Sequence, residues 1–253
     1  NQNYPILIDE EGGSVSRLRK FIDNSIFSAK YFGDLYLRDK KKFNLYFDVY
    51  VKQISYLLKI LGININTVPV LDIHKSISEI IIGSRAYSKN ANVVSKLGDI
   101  CINKFHKNKI LTIIKHIPGH GLSKVDSHKS LPIISKTFKY LDKNDFKTFK
   151  NKNSLMAMTG HLLFKKIDPK NSATHSQKII DIIRKKIKFK NLIITDDLSM
   201  KALKNSLKLR VIKSFNAGCN IVLHCNGNIK EMKIVANNSP KINHFIIKKT
   251  SQI

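Results

Sequence analysis

Arginine, acidic residues and cysteine are all scarce in this chain. Only Arg17, Arg19, Arg38, Arg85, Arg184 and Arg210 among its 45 basic residues are arginine. With 18 acidic residues, the formal net charge is +27. Such a charge invites a nucleic-acid reading. Base-edge and bidentate phosphate recognition, however, favour arginine over lysine. The lysines are also spread along the chain, at 40–42, 147–152, 185–190 and 248–249, and are not interleaved with aromatics. A lysine-biased solvated surface is the reading adopted, with loose attraction to polyanions at low salt and no specific nucleic-acid partner. Cys101, Cys219 and Cys225 form no CxxC, which excludes a disulfide framework or thiolate zinc cluster and fits free thiols in a reducing compartment. No run of eighteen apolar residues occurs, so no membrane span is expected. The opening NQNYPILIDEEGG has neither a basic n-region nor an apolar h-region.

What is present is a succession of short apolar runs, each ending in polar residues: 5–13, 65–73, 110–119, 154–161, 191–198 and 219–226. Near-continuous apolar runs of this length fit parallel strands buried on both faces. Between them, 43–62 and 92–108 carry helical spacing. Residues 176–187 start on a Ser176 N-cap and end in basic residues. Strand–helix alternation predicts a parallel α/β fold. Asp9, Asp72, His116, His161, Asp196 and His224 fall at strand carboxyl ends, where a (β/α)8 barrel builds its site. A doubly wound sheet shares that feature, but no GxGxxG follows any strand. Six strands leave a barrel two short, or roughly 50–60 residues at ~30 per unit. The expectation is a single domain over 1–253, an amino-terminally truncated barrel lacking its first two strands. Unpaired edges would make such a chain, expressed alone, unstable or insoluble.

The densest stretch is KHIPGHGLSKVDSH, residues 115–128. His116 and His120 stand at i, i+4, but Pro118 and Gly119 between them exclude a zincin helix. A loop-borne zinc site would need Asp126 or His128 as third ligand. No GK[ST] order is present for a phosphate loop. Asp126 and His128 are close enough to hydrogen-bond in a turn. A carboxylate so placed fixes a histidine's tautomer and makes it a candidate proton shuttle; an Asx-type turn with a surface histidine is the plainer reading. In LIITDDLSM, Asp196 and Asp197 point to opposite faces of an extended strand. One would face a barrel mouth as a reacting carboxylate, and the other would cap the following segment. Asp9 offers paired acceptors to sugar hydroxyls, and Arg17 and Arg85 offer donors.

Taken in order, these stretches resemble one family. IDEEGGSVSRL resembles (I/V)DxEGGxVxR, VPVLDI resembles PVLD(V/I), and IIGSRAYS resembles IGxRxF/Y. KHIPGHGLSKVDSHKSLP resembles KHFPGHGxxxxDSHxxLP, MTGHLLFKKIDPKNSATHS resembles MTAHxxYxxxDxxxPATxS, IITDDLSMKAL resembles (F/I)SDDLSMxAL, and AGCNIVLHCN resembles AGCDxVLxCN. The family is the β-N-acetylglucosaminidases of glycoside hydrolase family 3, the NagZ type of peptidoglycan recycling. The resemblance implies a (β/α)8 barrel and retaining hydrolysis of a terminal N-acetylglucosamine from 1,6-anhydromuramic fragments, with or without peptide. It implies a cytoplasmic, monomeric enzyme with no metal or organic cofactor and no membrane partner. By matching positions, Asp196 is the nucleophile and His128 the general acid/base, with Asp126 orienting it. Asp9, Arg17, Arg85, Lys115 and His116 bind the sugar. His120 keeps no role beyond shaping the loop. Asn220 departs from the family's Asp, a change expected to affect local pairing. Two rivals remain: a β-glucosidase-like relative, which would lack the KHxPGHG…DSH loop, and a catalytically lapsed, basic polyanion-binding protein.

Overall fold

The computed structural model describes residues 4–251. Six parallel strands form one curled sheet: β1 (Leu7–Ile8), β2 (Ile65–Asn66), β3 (Leu111–Ile117), β5 (Met156–Thr159), β7 (Leu192–Asp197) and β8 (Ile221–Leu223). Their spatial order is β1-β2-β3-β5-β7-β8. Every neighbour follows the last along the chain, with no switch point. That is the order of a barrel, not of a doubly wound sheet. Among the described residues β1 and β8 are the two ends and do not pair, so the barrel is partial. All six expected strands are present, but shorter than their apolar runs. A separate parallel pair, β4 (Ile133–Ile134) with β6 (Leu163–Phe164), was not expected from the sequence.

The expected helices appear as α2 (Lys40–Ile60), α3 (Ala91–Lys107) and α5 (Gln177–Lys185). The Ser176 hydroxyl caps α5 by accepting from the Ile179 N–H at 3.3 Å. The sequence reading did not separate α1 (Ala29–Arg38), α4 (Phe138–Lys143) or α6 (Leu207–Ala217). The described chain continues past β8 to residue 251. Two helices stand there, α7 (Ile229–Asn238) and α8 (His244–Thr250), each started by an asparagine side-chain cap.

Two apolar layers hold this arrangement. The outer one lies between sheet and helices and holds Phe32, Phe43, Phe47, Ile54, Leu58, Phe105, Ile114, Ala157 and Ile193. The inner one fills the curl with Ile65, Ile113, Met156, Met158, Leu192 and Ile194. Leu7 of β1, Leu223 of β8 and Ile246 of α8 pack on it from the open side, so the sheet's ends come together over a shared plug. The two-residue period of a strand sorts each run into these layers: in β3, Ile113 turns inward and Ile114 outward; in β5, Met156 inward and Ala157 outward.

One packing contact has no slack. Gly33 in α1 lies so close to the backbone carbonyl of Tyr87 that an added Cβ would overlap it. Backbone cannot move aside as a flexible side chain can. Gly33→Ala should therefore cost about 1–3 kcal/mol or more, read as a lowered denaturant midpoint. A variant as stable as the parent would contradict this packing.

Candidate active site

Continuing the inward row of each strand by two residues moves from the apolar plug into a polar cleft. Leu7 leads to Asp9 and Glu11, Ile65 to Thr67, Ile113 to Lys115, Ile194 to Asp196, and Leu223 to Cys225. All of these line one cleft of about 280 Å³ at the carboxyl ends of the strands. The same cleft is lined by Arg17, Arg85, His116, Asp126 and His128. Every residue singled out from the sequence as catalytic or sugar-binding is thus brought to one place, from three strand ends and the loops after β1, β2 and β3.

Lys115 is the electrostatic centre of one wall. Its side chain is almost fully buried, and Nζ lies 2.9 Å from Asp9 Oδ1, 2.6 Å from Glu11 Oε1 and 2.8 Å from Thr67 Oγ1. Burial alone would raise the pKa of both acids. Beside Asp9 it is outweighed by the Lys115 charge, the Thr67 hydroxyl and Arg17, whose Nη2 lies 3.6 Å away, so the carboxyl is held well below the usual range. Glu11 is lowered to about 2, because Lys115 and the two-pronged guanidinium of Arg85 outweigh its burial. Arg85 donates Nε to Glu11 Oε2 at 2.8 Å and Nη2 to Oε1 at 2.9 Å. Arg85 was expected to serve the sugar; in this structure most of its donors hold Glu11. Glu11 and Thr67 were both missed. Glu11 was detectable, because it sits two residues beyond Asp9 and so shares its face.

Asp72 organises the opposite wall. Its Oδ2 accepts from the His116 ring at Nδ1 (2.7 Å) and from the His116 backbone N–H (3.2 Å). Its Oδ1 accepts from the His120 backbone N–H at 2.6 Å. Burial pushes Asp72 up, but the His116 charge and hydrogen bond outweigh it and the carboxyl is lowered. One carboxylate thereby fixes both ends of the KHIPGH turn and orients the His116 ring. The pairing register slips between Lys115 and Ile117, so the consecutive side chains Lys115 and His116 both reach the cleft.

The glycines of this loop seat it: a Cβ on Gly119 would lie 2.8 Å from that of Asp145, and one on Gly121 would lie 3.1 Å from the Ile73 backbone nitrogen. Past Ser123 the loop carries Asp126 and His128, and between them the carbonyl of buried Ser127 accepts the Ala202 N–H at 3.1 Å. As expected, Asp126 Oδ1 meets His128 Nδ1 at 2.9 Å and accepts the His128 backbone N–H at 2.9 Å. Partial burial raises Asp126, but these bonds outweigh it and lower the carboxyl. The His128 side chain is 74% exposed at the cleft mouth.

The sequence placed Asp196 and Asp197 on opposite faces, but both line the cleft, because the pairing of β7 with β8 slips between Ile194 and Asp197; they differ in their partners. Asp197 accepts from Ser199 N–H (2.9 Å), Ser199 Oγ (2.5 Å) and Cys225 N–H (3.1 Å), and so caps the turn. Asp196 Oδ1 accepts the Asp197 N–H at 2.8 Å, and among the described residues no cation pairs with it. His161 lies buried behind β7, between Thr174 Oγ1 at 2.7 Å and the Asp197 carbonyl at 3.0 Å, and does not line the cleft. His224 pairs with Glu231 at 2.7 Å, also outside it. Asn220 keeps to local pairing as expected, its Oδ1 accepting from Ile193 N–H and Arg184 Nη2, each at 2.8 Å. Among the described residues no group of three or more His, Cys, Asp or Glu is arranged to hold a metal ion.

His120 gives the fold a pH dependence. Burial, with the neighbouring His116, lowers its pKa from 6.5 to about 4. The unfolded chain therefore binds a proton at a pH where the folded chain does not. The associated stability is present above pH 6.5 and is lost as pH falls toward 4, by roughly 3 kcal/mol in total. Stability measured across pH 6.5 to 4 should fall more steeply for the parent than for His120→Gln. Parallel slopes would remove His120 as the cause.

Comparison with known proteins agrees with this geometry. The chain is 30% identical over 230 residues to a beta-hexosaminidase of Nitrosomonas eutropha, covering 87% of this chain and 64% of the relative. It is 28% identical over 237 residues to one of Methylobacillus flagellatus, covering 92% and 67%. The chain thus spans about two thirds of the length of these relatives. Among solved structures, NagZ from Neisseria gonorrhoeae in complex with N-trifluoroacetyl-D-glucosamine superposes with a TM-score of 0.83 at 26% identity, covering 98% of this chain and 73% of that one. A glycoside hydrolase family 3 β-N-acetylglucosaminidase from Paenibacillus sp. gives 0.82 at 26%, covering 99% and 49%. Residues 4–248 match the glycosyl hydrolase family 3 N-terminal domain, and the chain belongs to that family.

Proposed function

We propose that the protein is a retaining exo-β-N-acetylglucosaminidase. The observation that carries the reading is Asp196: an inward, strand-end carboxylate with no cationic partner among the described residues, in a cleft whose other deep acids are each held, Asp9 and Glu11 by Lys115 and Asp197 by Ser199 and the Cys225 N–H. Its oxygens remain available to a carbon electrophile. Asp196 attacks the anomeric carbon while His128, oriented by Asp126, gives a proton to the glycosidic oxygen, and the aglycone leaves. His128 then takes a proton from water as that water attacks the glycosyl-aspartate, which releases the sugar and restores both groups. Asp9, Arg17, Arg85, Lys115 and His116 hold the sugar, and the segment carrying His128 closes on the glycosidic oxygen. The relatives' name, beta-hexosaminidase, supports the N-acetylhexosamine substrate. The natural substrate we assign is an N-acetylglucosaminyl-1,6-anhydromuramic fragment, hydrolysed in the cytoplasm by a monomer without a metal or organic cofactor.

The test is hydrolysis of an aryl β-N-acetylglucosaminide, with and without EDTA. Turnover insensitive to EDTA is expected. Loss in EDTA would restore the zinc reading. No turnover, together with tight, salt-sensitive nucleic-acid binding, would favour the polyanion-binding alternative that the +27 charge suggests.

A further inference from the structure

His120 has no part in the mechanism above, yet it is only 3% exposed and lines the same cleft. Its ring is tightly placed. The backbone N–H is fixed on Asp72 at 2.6 Å. The ring meets that of His116 edge to face, centroids 5.4 Å apart. Gly160 beneath it leaves so little room that a Cβ there would stand 3.3 Å from His120 Cδ2. Nδ1 is sealed from solvent and, among the described residues, has no partner in hydrogen-bond geometry, whereas Nε2, also without a partner among them, is not sealed. A neutral imidazole carries one N–H and one lone pair. A proton on Nδ1 would be a sealed donor with no well-placed acceptor among the described residues, the rarer and costlier kind of orphan. A proton on Nε2 faces the cleft, where a ligand can accept it. The titratable groups around the ring are His116 from β3, Asp72 from the loop after β2, and Asp196 from β7.

We propose that His120 is a further substrate-binding residue, whose Nε2–H donates to an oxygen of the sugar held in the cleft. It rests on the glycosidase reading above. The role suits its place beside Asp196. A protonated ring there would attract the carboxylate and draw it from the anomeric carbon, while an uncharged donor binds sugar oxygen and leaves the carboxylate free. Burial, which keeps His120 uncharged to about pH 4, supports this arrangement.

Two measurements test it. The first is imidazole nitrogen NMR of the full chain, titrated with N-acetylglucosamine at several values between pH 5 and 8. The expected result is an unprotonated Nδ1 and a protonated Nε2 at every pH, with the Nε2–H resonance moving as sugar binds. A proton on Nδ1, or titration near neutrality, would overturn it. So would a sugar response at His128 and His116 with none at His120, and that outcome leaves the glycosidase reading standing. No response anywhere in the cleft would overturn both. The second is kinetic. The Gln amide nitrogen can take the place of Nε2, and the shorter Asn side chain cannot. His120→Asn should lose ~10–100-fold in kcat/KM, and His120→Gln about tenfold less than that. Equal losses, matched by equal losses of melting temperature, would reduce His120 to a structural role.

Discussion

Asp196→Ala should lower turnover of an aryl β-N-acetylglucosaminide by roughly 10³–10⁵-fold, with little effect on the melting temperature. The stability expectation follows from its contacts. Asp196 accepts one hydrogen bond, from the next residue's N–H, and makes no ion pair among the described residues, so its removal strands only that part-buried N–H. The catalytic expectation follows from the absence of any other free carboxylate at that depth: Asp197 is held by Ser199 and Cys225, and Asp9 by Lys115 and Thr67. Azide supplied to the alanine variant can occupy the vacated space and attack the anomeric carbon directly. It should restore turnover on a substrate with a good leaving group and give the α-glycosyl azide. Undiminished hydrolysis by Asp196→Ala would end the assignment. A rescued product of β configuration would place the lost group on the leaving-group side instead.

His128→Ala should separate substrates by their leaving groups. Proton donation by a positioned side chain contributes ~10²–10⁴-fold, and that contribution is needed most when the departing oxygen is strongly basic. A natural disaccharide should therefore lose close to the full factor. A nitrophenyl glycoside should lose much less in its first step and stall at hydrolysis of the glycosyl-enzyme, visible as a burst of nitrophenol. Equal losses on both substrates, without a burst, would argue against His128 as the acid. Asp126→Asn should show the same pattern more weakly, since it keeps an oxygen near Nδ1 but removes the charge.

The strand ends were legible because a parallel strand buried on both faces writes itself as an apolar run that stops where the polar cleft begins. Asp9, His116 and Asp196 were found at such stops, and all three line the cleft. The family motifs then gave definite roles to Arg17, Arg85, Asp126 and His128, which local chemistry had singled out and no periodicity would have selected. What escaped were residues whose role depends on partners distant in sequence. Glu11 looks like a second acid in a turn until Arg85, 74 positions away, and Lys115 close on it. His120 looked like a spacer because its place comes from Asp72, 48 positions away, and from the room left by Gly160. The packing role of the loop glycines was likewise hidden, because Asp145 and Ile73, distant in sequence, supply the close contacts that only glycine permits. The pair β4–β6 escaped because two-residue strands are too short to display a period.

The slip in pairing at the end of β7 brings two consecutive aspartates to the cleft, where strict alternation would have brought one. What separates them is the company each keeps. Ser199 and the Cys225 N–H occupy Asp197, whereas Asp196 holds a single backbone N–H. The division of labour within DD is therefore written outside it, in the residues that engage the second aspartate, and sequence identity at DD is a weaker guide to activity in a relative than the presence of those partners.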